Sequence, residues 1–121
     1  MKFPRARRIT CRAEFAKVRS KGKSISGRFL VMGYLRDEEL KEPVRLGLIT
    51  TKKVGNAVIR NRIRRRLRGI VQRNGDRLVP GYWMVLIARK QAAEASSSQL
   101  EKEWKWMLHK VGMLKQEQNA G

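Results

Sequence analysis

Between Glu42 and Asp76 the chain runs for 33 residues without a carboxylate, and ten of those residues are lysine or arginine. The same stretch carries an apolar pattern of helical period. At 100° per residue, Ile59, Ile63, Leu67 and Ile70 fall within an arc of about 80°, with Val71 at its edge. Such a stripe has to be covered by another layer of structure. Asn61, Arg64, Arg65 and Arg68 point the opposite way; Arg62, Arg66 and Arg73 form one flank, and Arg60 borders the stripe and snorkels outward. Like charges at i,i+4, as in Arg60/Arg64, Arg62/Arg66 and Arg64/Arg68, each cost a few tenths of a kcal/mol. No local acid offsets them, so an external polyanion would relieve the strain. The segment therefore predicts a helix packed on a sheet, with arginines displayed away from it.

The rest of the chain supplies that sheet. Asn56 is a good N-cap for a helix from Ala57 to Gln72 or Arg73. Arg28–Leu35, Val44–Thr51 and Tyr82–Arg89 read as strands. The first two do not alternate cleanly, which predicts cover on both faces. A first helix fits Cys11–Ser20, with Thr10 as N-cap, Gly22 as a left-handed stop, and Cys11, Phe15 and Val18 as its apolar stripe. After a loop at 91–98, Ser98 and Glu101 have capping-box spacing. Leu100, Trp104, Met107, Leu108 and Val111 continue at helical spacing, and Gly112 closes the helix. Residues 1–9 read as a basic arm and 113–121 as a tail, both flexible. The order α-β-β-α-β-α predicts a single α+β domain over 1–121.

Charge narrows the function. With 29 Lys+Arg against 10 Asp+Glu, the formal net charge is +19, which points to a polyanionic partner. The longest apolar run, Tyr82–Ala88, is far too short to cross a membrane. No apolar segment follows the basic N-terminal residues, so no secretory signal and a cytoplasmic location are expected. The single cysteine excludes an internal disulfide. The inventory for catalysis is thin: His109 is the one histidine and reads as a surface or packing residue, Cys11 as core. The carboxylates are not interleaved with the basic helix, as a two-metal nuclease would require. Trp104 reads as core, Trp83 as buried or at the edge of the core, and the place of Trp106 stays open. Eight aromatic residues are too few for base stacking on many rings to dominate.

The run from Lys52 to Arg68, with Arg60-Asn61-Arg62 at its centre, closely resembles the arginine-rich signature of the protein subunit of bacterial ribonuclease P. The likeness extends to Glu14–Val18, Arg45–Leu48 and Ile87–Lys90, in the same order along nearly the whole chain. The resemblance implies a small α/β sandwich with a left-handed β-α-β crossover, against the right-handed default. It also implies a subunit that binds the catalytic RNA and the 5′ leader of precursor tRNA, while the RNA performs the hydrolysis that removes the leader. Carried over by position, the RNA contacts are Lys52, Lys53, Asn56, Arg60, Asn61, Arg62, Arg64, Arg65 and Arg68. A leader cleft would use Arg8, Arg12, Phe15, Val18, Arg19, Tyr34 and Ile49. Arg19 stands where some members carry a second aromatic, which shifts the cleft from stacking toward charge. Mg²⁺ is expected on the RNA subunit and substrate, with none held by the protein alone and no membrane partner. Size and charge alone would also suit a ribosomal-type RNA-binding module. A helix-turn-helix DNA binder is disfavoured because strand Val44–Thr51 stands where its partner helix should be.

Overall fold

The structure is a computed structural model that describes residues 8–9, 12–40 and 44–115. Its elements are α1 (Arg12–Lys21), β1 (Lys23–Ser26), β2 (Leu30–Arg36), β3 (Val44–Ile49), α2 (Ala57–Arg73), β4 (Tyr82–Ala88) and α3 (Ser97–Val111). The four strands form one mixed sheet in the order β1-β2-β4-β3. β1 pairs antiparallel with β2, β2 antiparallel with β4, and β3 parallel with β4 through the α2 crossover. The expected α+β class holds.

Side-chain alternation divides the sheet into two unlike faces. Leu30, Met32, Val44, Leu46, Met84, Leu86 and Ala88 project to one side and join a single core with Ile63, Leu67, Ile70 and Val71 of α2 and Leu100, Trp104, Met107 and Leu108 of α3. The helical stripe of α2 is thus buried as its spacing requires, with Ile63 and Leu67 at 0% exposure. Trp83, Val85, Leu35, Ile49 and Ile87 project to the other side, where Ile9 and the Phe15 and Val18 side chains of α1 pack on them. Both faces are covered, as the broken alternation of the strands implied.

Trp83 anchors the α1 face. Its indole Nε1–H donates to Asp37 Oδ2 at 3.0 Å. Lys17 and Arg45 lie 4.8 and 5.0 Å from its ring, and Arg45 pairs with Glu14 of α1 at 3.2 Å. The strand, the 37–40 turn and the helix are thereby tied together through one buried aromatic.

Several local expectations change. β1 was not anticipated, because Lys-Ser-Ile-Ser lacks the β-branched and aromatic run that marks a strand. The cap of α3 lies two residues before the expected one. A 3₁₀ turn at Lys90–Glu94 uses up the predicted loop, and Ser96 with Gln99 makes the capping box. Glu101 is released to bind Arg73 and Asn74. Gly22 does not adopt a left-handed conformation. It is needed because an added Cβ would sit 2.4 Å from the Tyr34 carbonyl oxygen. Gly112 does close α3 at φ 77°. The end of the N-terminal arm is docked rather than free: the Ile9 N–H donates to the Leu46 oxygen at 2.8 Å, and Ile9 is buried. Thr10 and Cys11 lie outside the described residues, as do 1–7 and 116–121 of the arm and tail.

Candidate nucleic-acid interface

The entry to α2 has the geometry for binding an anion. Asn56 is extended, and its Oδ1 accepts the Ile59 N–H at 3.0 Å, fixing the start of the helix. Lys52 and Lys53 occupy the exposed turn just before it. Two cations therefore stand beside the positive end of a 17-residue helix whose first turn holds no acid.

Along α2, Asn61 and Arg65 are exposed and Arg64 and Arg68 half-exposed, all on the side away from the sheet. Arg64 donates to Asn61 Oδ1 at 3.3 Å, which aligns two members of this ridge. Val58, 74% exposed at its start, adds an apolar contact point that charge-based reasoning passed over.

The other flank behaves differently. Arg62 donates to the Ala93 oxygen at 3.4 Å and Arg66 to the Ala95 oxygen at 3.0 Å, while Arg73 pairs with Glu101 at 2.8 Å. Arg62 was expected to contact RNA; instead, its half-buried guanidinium reaches back into the protein. The reason is the 3₁₀ turn after β4, which covers this flank and offers it carbonyls. No sequence signal showed that turn. Arg60 is intermediate, and the Nε atoms of Arg60 and Arg62 are both buried without a hydrogen-bond partner.

A groove of about 380 Å³ opens on the α1 face of the sheet. Phe15, Val18, Arg19 and Ile49 line it as anticipated, together with Lys23, Ser24, Val31, Gly33 and Ile87, which the sequence reading missed. Phe15 is seated directly on β3: a Cβ at Gly47 would come within 2.6 Å of its ring. Tyr34 does not line the groove. It shares the parity of Leu30 and Met32 and packs on the opposite core, and Gly33 takes the groove-facing place. Arg8 and Arg12 are exposed but are not among the lining residues. Val31, Ile87 and Ile49 align across three strands, forming the row at one end of the groove. β3 leaves that row through Thr50 and Thr51 to reach Lys52, so the groove and the α2 entry open on the same end of the sheet.

The acids are held elsewhere. Hydrogen bonds from Arg73 and then Asn74 lower the Glu101 carboxyl to about 2. The Asp37 carboxyl is lowered by the Glu39 N–H and the Trp83 indole. Neither carboxylate lies on the Asn61–Arg64–Arg65–Arg68 face.

Known proteins share this sequence pattern and fold. The Ribonuclease P family model matches residues 3–112. The chain is 38% identical to the ribonuclease P protein component of Syntrophomonas wolfei over 93% of its own length and 92% of the relative's. It is 40% identical to that of Bacillus cereus over 88% and 91%. The structure superposes on the Staphylococcus aureus RNase P protein with a TM-score of 0.83 and 28% identity, covering 92% of this chain and all of that one. A basic crossover helix on a four-stranded sheet, matched in sequence over nearly its whole length, places the chain in the ribonuclease P protein family.

Proposed function

We propose that this chain is the protein component of a bacterial ribonuclease P ribonucleoprotein, working in the cytoplasm. In this reading it grips the catalytic RNA through α2 and holds the 5′ leader of precursor tRNA in the α1 groove. The observation that carries the reading is the division of α2. One flank is bonded to the protein's own carbonyls, while Asn61, Arg64, Arg65 and Arg68 form a carboxylate-free ridge facing outward.

The chemistry follows from that geometry. Guanidinium forks bind phosphate oxygens in pairs, and the α2 N-terminus with Lys52 and Lys53 supplies a further phosphate seat. The groove offers one aromatic face at Phe15, apolar walls at Val18 and Ile87, and charge at Arg19 and Lys23. It suits single-stranded nucleotides, held by one stacked base and by backbone contacts. Because the groove and the α2 entry open on the same end of the sheet, a substrate leader can lie beside RNA held at that entry. The protein's part is to bind and orient; bond cleavage falls to the RNA. Among the described residues no three His, Cys, Asp or Glu side chains converge, and we assign Mg²⁺ to RNA and substrate.

The test is reconstitution. Adding the protein to a ribonuclease P RNA transcript should lower the Mg²⁺ needed to remove the leader, and the protein alone should cut nothing. Engagement of about six to eight phosphates predicts an affinity that falls by orders of magnitude between low and moderate salt. Unchanged activity on adding protein would overturn the reading.

A further inference from the structure

Trp106 is an exposed aromatic side chain on α3 that neither the core nor the α1 groove uses. It is 46% exposed, whereas Trp104 and Trp83 are buried. On α3 it points about 215° from the centre of the buried stripe Leu100–Trp104–Met107–Leu108, away from the sheet. It lines a surface groove of about 530 Å³ with Arg28, Phe29, Gln99 and Lys102. The Arg28 guanidinium lies 5.3 Å from the Phe29 ring centre. The groove's carboxylate, Glu103, is engaged: it accepts the N–H groups of Arg28, Phe29 and Leu30 at 2.6, 2.9 and 2.8 Å. That contact builds the β1–β2 turn around Glu103 and fixes the Arg28 backbone at the groove that Trp106 also lines.

The occupant is set by charge and position. An exposed indole flanked by a guanidinium and an ammonium suits a stacked base with adjacent phosphates. A second copy of a chain carrying +19 would be repelled. A lipid surface needs an apolar stripe, and among the described residues the only other exposed large apolar side chain is Val58, on a different helix. α2 and α3 pack side by side on the same face of the sheet, with axes about 8–10 Å apart for packed helices. Their outward sides thus form one surface, while the α1 groove opens on the other face. From this we infer that Trp106, Arg28 and Lys102 form a stacking site for an unpaired nucleotide of the same RNA that the α2 ridge binds. The inference rests on the assignment of α2 to RNA.

The experiment measures binding of the full chain to a Bacillus cereus ribonuclease P RNA transcript across a salt series. Trp106→Ala should weaken binding about 5- to 100-fold, with the salt slope unchanged because the indole carries no charge. Trp106→Phe should recover most of the loss. Arg65→Ala, in parallel, should weaken binding and flatten the slope by about one. Full affinity in Trp106→Ala with a defective Arg65→Ala overturns the stacking site and leaves the α2 reading standing; full affinity in both overturns both. A Trp106→Ala defect confined to leader-bearing substrate, or a loss of self-association or of binding to anionic vesicles with RNA affinity intact, assigns the groove to another occupant and overturns the inference.

Discussion

The two faces of the sheet are built from the same strands, one residue out of phase, yet they are finished differently. The even-numbered face of β4, with Met84, Leu86 and Ala88, is sealed by two long helices and contributes to one continuous core. Among the described residues, the odd-numbered face, with Val85 and Ile87, meets the ten-residue α1, the end of the arm and Leu40 of the turn after β2, and a groove remains. One face supplies stability, the other leaves room for a ligand. The ridge on α2 depends on the sealed face, because arginines that repel one another need a helix anchored by its underside.

Neighbouring residues on β4 test this contrast most directly. Leu86→Ala removes a side chain that is 1% exposed in the two-helix core and should cost about 2–5 kcal/mol. Ile87→Ala, half-buried at the groove, should cost distinctly less, about 1 kcal/mol, while weakening binding of leader-bearing substrate. Urea unfolding of the two variants decides it; equal losses would mean that the faces are equally packed.

Gly47→Ala probes how the groove is shaped. The new methyl would meet the Phe15 ring and the Ile9 side chain, so the ring must move or the arm lift. Overpacking of this kind costs about 1–3 kcal/mol. Affinity for precursor with a leader should fall more than affinity for mature tRNA. Loss of assembly with the RNA instead would place Phe15 in the fold and not in a leader site.

The division within α2 predicts a smaller, more specific difference. Arg62→Ala should lower stability by about 1 kcal/mol through loss of the bond to Ala93. Arg65→Ala should leave the urea midpoint within about 0.5 kcal/mol and act on RNA affinity. A destabilised Arg65→Ala alongside an unaffected Arg62→Ala would reverse the assignment of the two sides.

The α2 helix was legible in the sequence because its apolar stripe and its N-cap agree, and two independent signals rarely mislead together. The ridge residues followed from the same angular count. The same count put Arg62 on its flank but could not show its bond to the Ala93 carbonyl, which belongs to a 3₁₀ turn about 30 residues away that propensity does not encode. Tyr34 is placed by likeness to a family, and a one-residue offset in a strand exchanges faces; its parity with Leu30 and Met32 puts it on the core side, and Gly33 lines the groove. The short β1 strand left no such trace.

Acid titration probes the bond between the sealed face's two helices. Glu101 of α3 is held to about 2, below an ordinary value of 4.5, chiefly by its hydrogen bond from Arg73 of α2. A depressed carboxyl stabilises the fold fully above its unfolded value and loses that contribution as pH falls toward the folded one. Stability should therefore decline between pH 4.5 and about 2. Because Arg73 is exposed, the pair is screened and its share is at most about 1 kcal/mol. Glu101→Gln should flatten that decline without removing it, since Asp37, also lowered, titrates in the same direction on the α1 face. An unaltered acid profile in Glu101→Gln would show that the helices are joined by packing alone, and that Arg73 is available to the ridge.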